Sequence, residues 1–154
     1  MKKIILLVAF IAAFGQFGFA LSHDTSPLLE KYYAVKNALT SDNAELAVTA
    51  ATEFSKVVNA TAASVLSDES RAALLKDAGN IAQAKDIKKQ REYFKAFSDH
   101  FSQLAKTTSL SGDPIYIAYC PMVKANWLSS SPTIKNPYYG KAMLTCGKVV
   151  ETLK

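Results

Sequence analysis

Apolar residues recur at helical spacing over the first two thirds of the chain, and this pattern restricts the fold more than any other feature. In the longest stretch the large apolar residues return at intervals of seven, three, four and three; they are Ile87, Phe94, Phe97, Phe101 and Leu104. Such intervals place side chains on one face of an α-helix, whereas a half-buried strand would alternate. The spacing therefore predicts a long helix over about 81–107 with a thick aromatic face.

Two earlier segments carry helix start signals. The Ser-Pro pair at 26–27 is typical of an N-cap followed by proline at the first helical position, and it predicts a helix over 27–40. Asp42 and Glu45 match the reciprocal capping pattern and predict a second helix that ends near Val65.

A third helix is expected between the second helix and the long one. Ser67 would cap it, it would cover 68–78, and Gly79 would end it. These segments show no strand-like alternation and no internal repeat. We therefore expect a mainly α fold, an antiparallel helical bundle of about four helices joined by short connections.

The chain changes character after Leu110. The segment 115–120 alternates as a short strand would, and the rest is an irregular, turn-rich C-terminal segment with one late helix expected over 141–153. Such a segment must be held by packing on the bundle or by a cross-link. The aromatic anchors that we expect are Trp127, Tyr138 and Tyr139.

The N-terminus has the pattern of a secretory signal peptide. Lys2 and Lys3 precede an apolar run over 4–14, and small residues suit cleavage after Ala20. We expect residues 21–154 to form a single exported domain, periplasmic or secreted. No stable membrane anchor is expected, because no later apolar run is long enough and no cysteine lies at the new terminus.

Charge and motifs exclude several classes of function. Loss of the two leader lysines lowers the formal charge from +5 to +3. The remaining bases are scattered among acids, which argues against a nucleic-acid partner. The sequence contains no phosphate loop, zinc-protease helix or nucleophile elbow, and its cysteines do not form a C-x-x-C pair. We therefore expect no enzymatic activity.

All sulfur beyond the leader is clustered in the tail. Met122 lies two residues after Cys120, and Met143 lies three residues before Cys146. In an exported protein, one interpretation is a disulfide between the two cysteines, which would stabilise the fold by roughly 3 kcal/mol. The methionines would then be gap-fillers.

The other interpretation is a soft metal site. Thiolate and thioether ligands favour monovalent copper or silver. Cys-x-Met on an extended segment presents both side chains on one side, as does Met-x-x-Cys on a helical turn. The residues leave both interpretations open.

The tail motifs, together with two upstream segments, resemble a bacterial domain family of unknown function. The similar stretches are "YYAVKNALTSDN", "KQREYFKAFS", "YCPM" and "WLSSSPTIKNPYYGKAMLTCGKVVE". Members of that family occur as stand-alone exported proteins and as a C-terminal module of periplasmic adaptor subunits in copper and silver efflux systems. The resemblance implies a helical exported domain without enzymatic activity, associated with heavy-metal handling and with a periplasmic efflux component as partner.

The resemblance also implies a site. Matched by position, its metal ligands are Cys120, Met122, Met143 and Cys146. Trp127 and the turn residues Asn136, Pro137, Tyr138, Tyr139 and Gly140 would be the structural support. Some relatives carry histidine just before the C-P-M element, where this chain has Tyr119. That difference removes a nitrogen ligand.

A second metal site is predicted at the new N-terminus. Cleavage after Ala20 makes His23 the third residue of the chain. The free amine, two deprotonated backbone amides and the imidazole then provide a square-planar set of nitrogens for divalent copper or nickel. This site depends on the cleavage position.

Overall fold

Four α-helices precede a small antiparallel sheet in the computed structural model, which describes residues 26–154. The helices are α1 (Pro27–Thr40), α2 (Ala44–Ala60), α3 (Asp68–Gln83) and α4 (Ile87–Thr107). The strands are β1 (Ile115–Cys120), β2 (Ala125–Ser129) and β3 (Lys148–Leu153), and a 3₁₀ helix spans Gly140–Met143. β1 is central and pairs antiparallel with both β2 and β3.

The predicted leader and His23 lie outside the described residues, so both stay predictions. Within the described part of the chain, no helix combines the length and the apolar character that a bilayer span requires.

The aromatic face of α4 forms the centre of the core. Each helix packs on the next one along the chain. The ring centroids of Tyr32 in α1 and Phe101 in α4 lie 4.6 Å apart, and those of Phe54 in α2 and Phe97 in α4 lie 4.8 Å apart. All four rings are fully buried, and each contributes roughly 2–3 kcal/mol of hydrophobic stabilisation. The prediction of a mainly α fold with four helices is confirmed.

Capping residues account for most helix starts. Ser26 and Ser67 accept backbone N–H bonds in the first turns of α1 and α3, as predicted. For α2 the predicted cap is wrong by one residue. Asn43 accepts the N–H of Leu46 at 2.8 Å, while Asp42 has a φ of 60° and its carboxylate points elsewhere.

The end of α2 differs from the prediction. α2 ends at Ala60 and not near Val65, because the Arg71 guanidinium donates hydrogen bonds to the carbonyls of Val58 and Thr61. These bonds satisfy carbonyls that a longer helix would have used internally.

The boundary between α3 and α4 also differs. α3 continues through Gly79 to Gln83, because a glycine weakens a helix without ending it. α4 begins at Ile87, six residues later than expected, because Asp86 caps it by accepting the N–H groups of Lys88 and Lys89.

The tail contains more regular structure than predicted. The strand at 115–120 is confirmed, but the late helix over 141–153 is wrong. The 3₁₀ helix covers only the start of that range, Gly147 has a φ of 142°, and β3 follows. Since β3 pairs with the central β1, its conformation depends on a partner about thirty residues away in the sequence.

A buried hydrogen-bond network joins the sheet to the bundle. The Tyr32 hydroxyl donates to Ser98 Oγ at 2.7 Å and accepts the N–H of Leu128 in β2 at 3.0 Å. Ser98 Oγ in turn donates to the carbonyl of Asn126 at 2.9 Å. Burial raises the pKa of Tyr32, so its hydroxyl keeps its proton and the network stays intact across the neutral range.

Arg91 of α4 joins the tail to the turn between α1 and α2. Its Nη2 donates to Asp42 Oδ1 at 2.5 Å and to the carbonyl of Leu39 at 2.7 Å, and its Nε donates to the carbonyl of Pro137 at 2.9 Å. The other Asp42 oxygen accepts the N–H of Lys141 at 3.2 Å. The hydrogen bond from Arg91 lowers the pKa of the Asp42 carboxyl. We call these residues the Arg91 clamp.

Gly140 packs directly against the Arg91 clamp. Its φ is 56°, and a Cβ at this position would lie 2.1 Å from both Arg91 Nη2 and Asp42 Oδ1. Only glycine therefore suits this position in both conformation and space.

We predict opposite effects of alanine at two glycines. Gly140→Ala should lower the free energy of unfolding by about 3 kcal/mol, because it adds left-handed strain and a clash with the clamp. Gly79→Ala is the matched control in α3, where a Cβ meets nothing within 4 Å, and it should raise stability by about 0.5–1 kcal/mol. Urea unfolding followed by circular dichroism measures both. Equal effects of the two substitutions would contradict this account.

Lys36 is a buried cation in α1. It is 5% exposed, its Nζ lies 5.7 Å from the centroid of the Tyr33 ring, and Lys135 is a nearby like charge. Burial, with a smaller contribution from Lys135, lowers the pKa of Lys36 from 10.5 to about 8. Below pH 8 the folded protein therefore contains a buried, charged lysine, which lowers its free energy of unfolding.

We predict that Lys36→Met stabilises the protein by about 2 kcal/mol at pH 7. The folded pKa is lower than the unfolded pKa, so the unfolded chain binds more protons above pH 8 and wild-type stability rises with pH there. The advantage of the variant should shrink by pH 9.5 in urea unfolding. The exposed Lys76→Met is the control and should show no such change. A variant less stable than wild type at pH 7 would refute the assignment.

Candidate functional site

Asn136 lies at the centre of the sulfur-containing part of the tail. It is fully buried, and its Nδ2 donates to Cys120 Sγ at 3.2 Å and to the carbonyl of Cys146 at 2.7 Å. Its Oδ1 accepts the N–H of Tyr138 at 2.8 Å. Because the same nitrogen contacts both cysteine residues, the Cys120 sulfur atom lies within about 6 Å of the Cys146 carbonyl oxygen.

The backbone of Asn136 holds the Met-x-x-Cys segment. The Asn136 N–H donates to the carbonyl of Leu144 at 2.8 Å, and its carbonyl accepts the N–H of Gly140 at 3.0 Å. Within that segment the Cys146 N–H donates to the carbonyl of Met143 at 3.1 Å. Asn136 therefore connects three parts of the tail: Cys120 at the end of β1, the 3₁₀ helix, and Cys146.

The four predicted sulfur ligands differ in exposure. Cys120 is fully buried at the end of β1, and Cys146 is half-buried; no bond joins their sulfur atoms in this structure. Met143 is half-buried in the 3₁₀ helix, and Met122 is 60% exposed on the β1–β2 turn. The fold thus brings Cys120 close to the Cys146 backbone and leaves Met122 at the surface.

Other metal-binding side chains are not arranged around these sulfurs. Within residues 26–154, no group of three or more His, Cys, Asp and Glu side chains is placed to hold a metal ion. A site here with three or more side-chain ligands would therefore include methionine sulfur. The approach of the two cysteine residues agrees with a disulfide as well as with a metal site, so both interpretations stay predictions.

Trp127 supports the site from β2. It is 1% exposed, and a Cβ at Gly147 would lie 2.7 Å from its Cη2 atom and 2.9 Å from the Tyr119 carbonyl. Gly147 therefore allows the chain after Cys146 to pass close to the indole ring. The Trp127 ring also meets Tyr138 edge to face, with centroids 6.2 Å apart.

The Asn-Pro-Tyr-Tyr-Gly turn supports the site through distinct contacts. The carbonyl of Pro137 accepts a hydrogen bond from Arg91, and Gly140 packs against the Arg91–Asp42 pair. The buried Tyr138 hydroxyl donates to the carbonyl of Asn126, and burial raises the pKa of Tyr138. Tyr139 is half-buried at the surface of the turn.

Sequence reasoning missed the partners of this turn. The sequence predicts a helix cap at Asp42 and no particular role for Arg91, whereas the structure pairs the two side chains and bonds Arg91 to Pro137 of the turn. Asp42 lies in the stretch "YYAVKNALTSDN" and Arg91 in the stretch "KQREYFKAFS". Because both stretches carry the family resemblance together with the tail, they were the one sequence feature that connected these residues with the tail. His100 lies elsewhere, in α4, and its Nδ1 is 2.6 Å from Oδ2 of Asp77 in α3.

The helical part of the chain matches a family model. The family is described as "Protein of unknown function (DUF3347)", and the match covers residues 28–113. That range covers the four helices except Pro27, the first residue of α1, and it ends before β1, so the Cys/Met elements and the turn at 136–140 lie beyond it. Comparison with curated proteins and with solved structures gives no significant match. Because the matched range is more than half of the chain, this protein belongs to the DUF3347 family of proteins of unknown function.

Proposed function

We propose that this protein is a non-enzymatic, exported metal-binding module for monovalent copper or silver. The observation that carries the proposal is the pair of hydrogen bonds from Asn136 Nδ2 to Cys120 Sγ and to the Cys146 carbonyl. They bring one buried thiol next to the segment that carries a second thiol and a thioether.

The chemistry of the side chains fits such an ion. Cys120 and Cys146 would bind as thiolates, and soft sulfur ligands prefer monovalent copper and silver to hard cations. The N–H that Asn136 donates to Cys120 is an outer hydrogen bond of the kind that orients a ligand and tunes its sulfur. The buried Trp127 ring would keep water away from the side of the ion that faces the protein interior.

The two methionines would contribute unequally. Met143 lies one helical turn before Cys146, and the bond between their backbones holds this spacing. Met122 is exposed on the adjacent β1–β2 turn, so it would be the outermost ligand. A ligand at the surface suits the entry and release of an ion, and we propose that the module buffers the ion or passes it to a periplasmic efflux component.

A disulfide-linked interaction domain is the competing function. The same approach of Cys120 to Cys146 supports it, and the partner would be a periplasmic protein. Thiol titration of unreduced protein separates the two functions. Two reactive thiols after unfolding favour the metal site, and none favours the disulfide.

We predict that the reduced protein binds one monovalent copper ion in an anaerobic competition titration, and that Cys146→Ser weakens binding about a hundredfold or more. Cys146 is the informative position, because it is only half-buried and its loss should leave the core intact. Met122→Leu should weaken binding less, by about tenfold, since Met122 is the most exposed ligand.

The matched control is Thr145→Ala, which changes the exposed neighbour of Cys146 without removing sulfur. It should bind copper as the wild type does. Circular dichroism checks that all variants keep the helical fold. Equal copper affinity of wild type and Cys146→Ser would exclude the proposed site, and absence of binding in the reduced wild type would leave the disulfide-linked domain as the function.

A further inference from the structure

An open groove lies between α4 and the tail, next to the Arg91 clamp and lined by none of the four sulfur residues. Its volume is about 650 Å³, which is within the usual range for ligand sites. The lining residues are Lys88, Arg91, Glu92 and Lys95 of α4, with Val123, Tyr138, Tyr139 and Ala142 of the tail. The four α4 residues follow helical spacing and form one stripe.

The floor of the groove is apolar and firmly packed. Tyr138 is 6% exposed, and its ring lies 5.6 Å from that of Phe94, centroid to centroid. Two bonds from α4 brace the walls: Arg91 Nε to the carbonyl of Pro137, and Lys95 Nζ to the carbonyl of Val123 at 3.2 Å. Because helix and tail are tied at both places, the groove exists before any ligand binds.

The rim of the groove is positively charged. Its one acid, Glu92, already pairs with Lys89 at 2.7 Å. Within residues 26–154, no ion pair uses the ammonium group of Lys88. The ammonium group of Lys95 donates to the Val123 carbonyl and also attracts the carboxylate of Asp99, one turn further along α4. The exposed Lys124 and Lys141 are the immediate chain neighbours of the lining residues Val123 and Ala142.

We propose that this groove binds an acidic segment of a partner protein, with an apolar side chain on the tyrosine floor and carboxylates facing the lysines. Charge complementarity favours this occupant. A second copy of this chain would bring further positive charge, since the formal net charge is +5 for the full sequence and +3 without the two leader lysines. A flat anionic membrane would meet the rim without filling the apolar floor. The proposal does not depend on metal binding, because none of the four sulfur residues lines the groove.

The test uses fluorescence anisotropy with a fluorescein-labelled peptide, Glu-Asp-Leu-Phe-Asp-Glu, and the purified protein. We expect binding that weakens as salt is added. Lys88→Glu should weaken it about tenfold, because it reverses a rim charge. Lys76→Glu makes the same change on an exposed lysine of α3, away from the groove, and should alter affinity less than twofold. Tyr139→Ala should also weaken binding, since it removes part of the apolar wall.

Several results would overturn the proposal. No detectable binding at about 1 mM protein would do so, as would equal losses in the Lys88 and Lys76 variants, which would indicate non-specific attraction. Equal affinity for a peptide with alanine in place of Leu-Phe would show that the floor takes no part. Self-association in sedimentation, abolished by Lys88→Glu, would identify a second copy as the occupant. Circular dichroism confirms that each variant is folded.

Discussion

The Arg91 guanidinium is the group through which the bundle and the tail are held together. It is largely buried, it projects from the longest helix, and its donors reach the carbonyls of Leu39 and Pro137 and the carboxylate of Asp42. A buried cation with several satisfied donors is costly to disturb, because loss of one partner leaves charge unpaired. Gly140 is required for the same reason, since any larger residue would occupy the space of this ion pair.

The sulfur-containing site is connected to the Arg91 clamp through two consecutive residues, Asn136 and Pro137. Pro137 accepts a bond from Arg91, and its neighbour Asn136 donates to Cys120 and Cys146. A displacement of the clamp would therefore move the asparagine that brings the two cysteine residues close. The family match ends at residue 113, yet Asp42 and Arg91 lie inside it and bind partners beyond it. The tail is thus an integral part of this fold and not an independent appendage.

Local signals predicted the helices, and non-local pairing explains the failures. The aromatic spacing of α4 and the caps at Ser26 and Ser67 are readable within a few residues, and they were right. β3 was mistaken for a helix, because its conformation is set by pairing with β1. Asp42 was mistaken for a cap, because its partner Arg91 is 49 residues away. For the candidate site, sequence spacing predicts the four sulfur residues, but it could not show that Asn136 contacts both cysteine residues or that Met122 is exposed.

The proposed metal site and the proposed peptide groove share two segments of chain. Val123 and Ala142 line the groove, and they are the immediate neighbours of Met122 and Met143. An ion bound by those methionines would add to the restraint that existing hydrogen bonds already place on both segments, so it would further lower the entropy cost of filling the groove. By linkage, a peptide in the groove would then raise ion affinity by the same factor. Metal binding and partner binding would therefore reinforce each other without any large rearrangement of the helices.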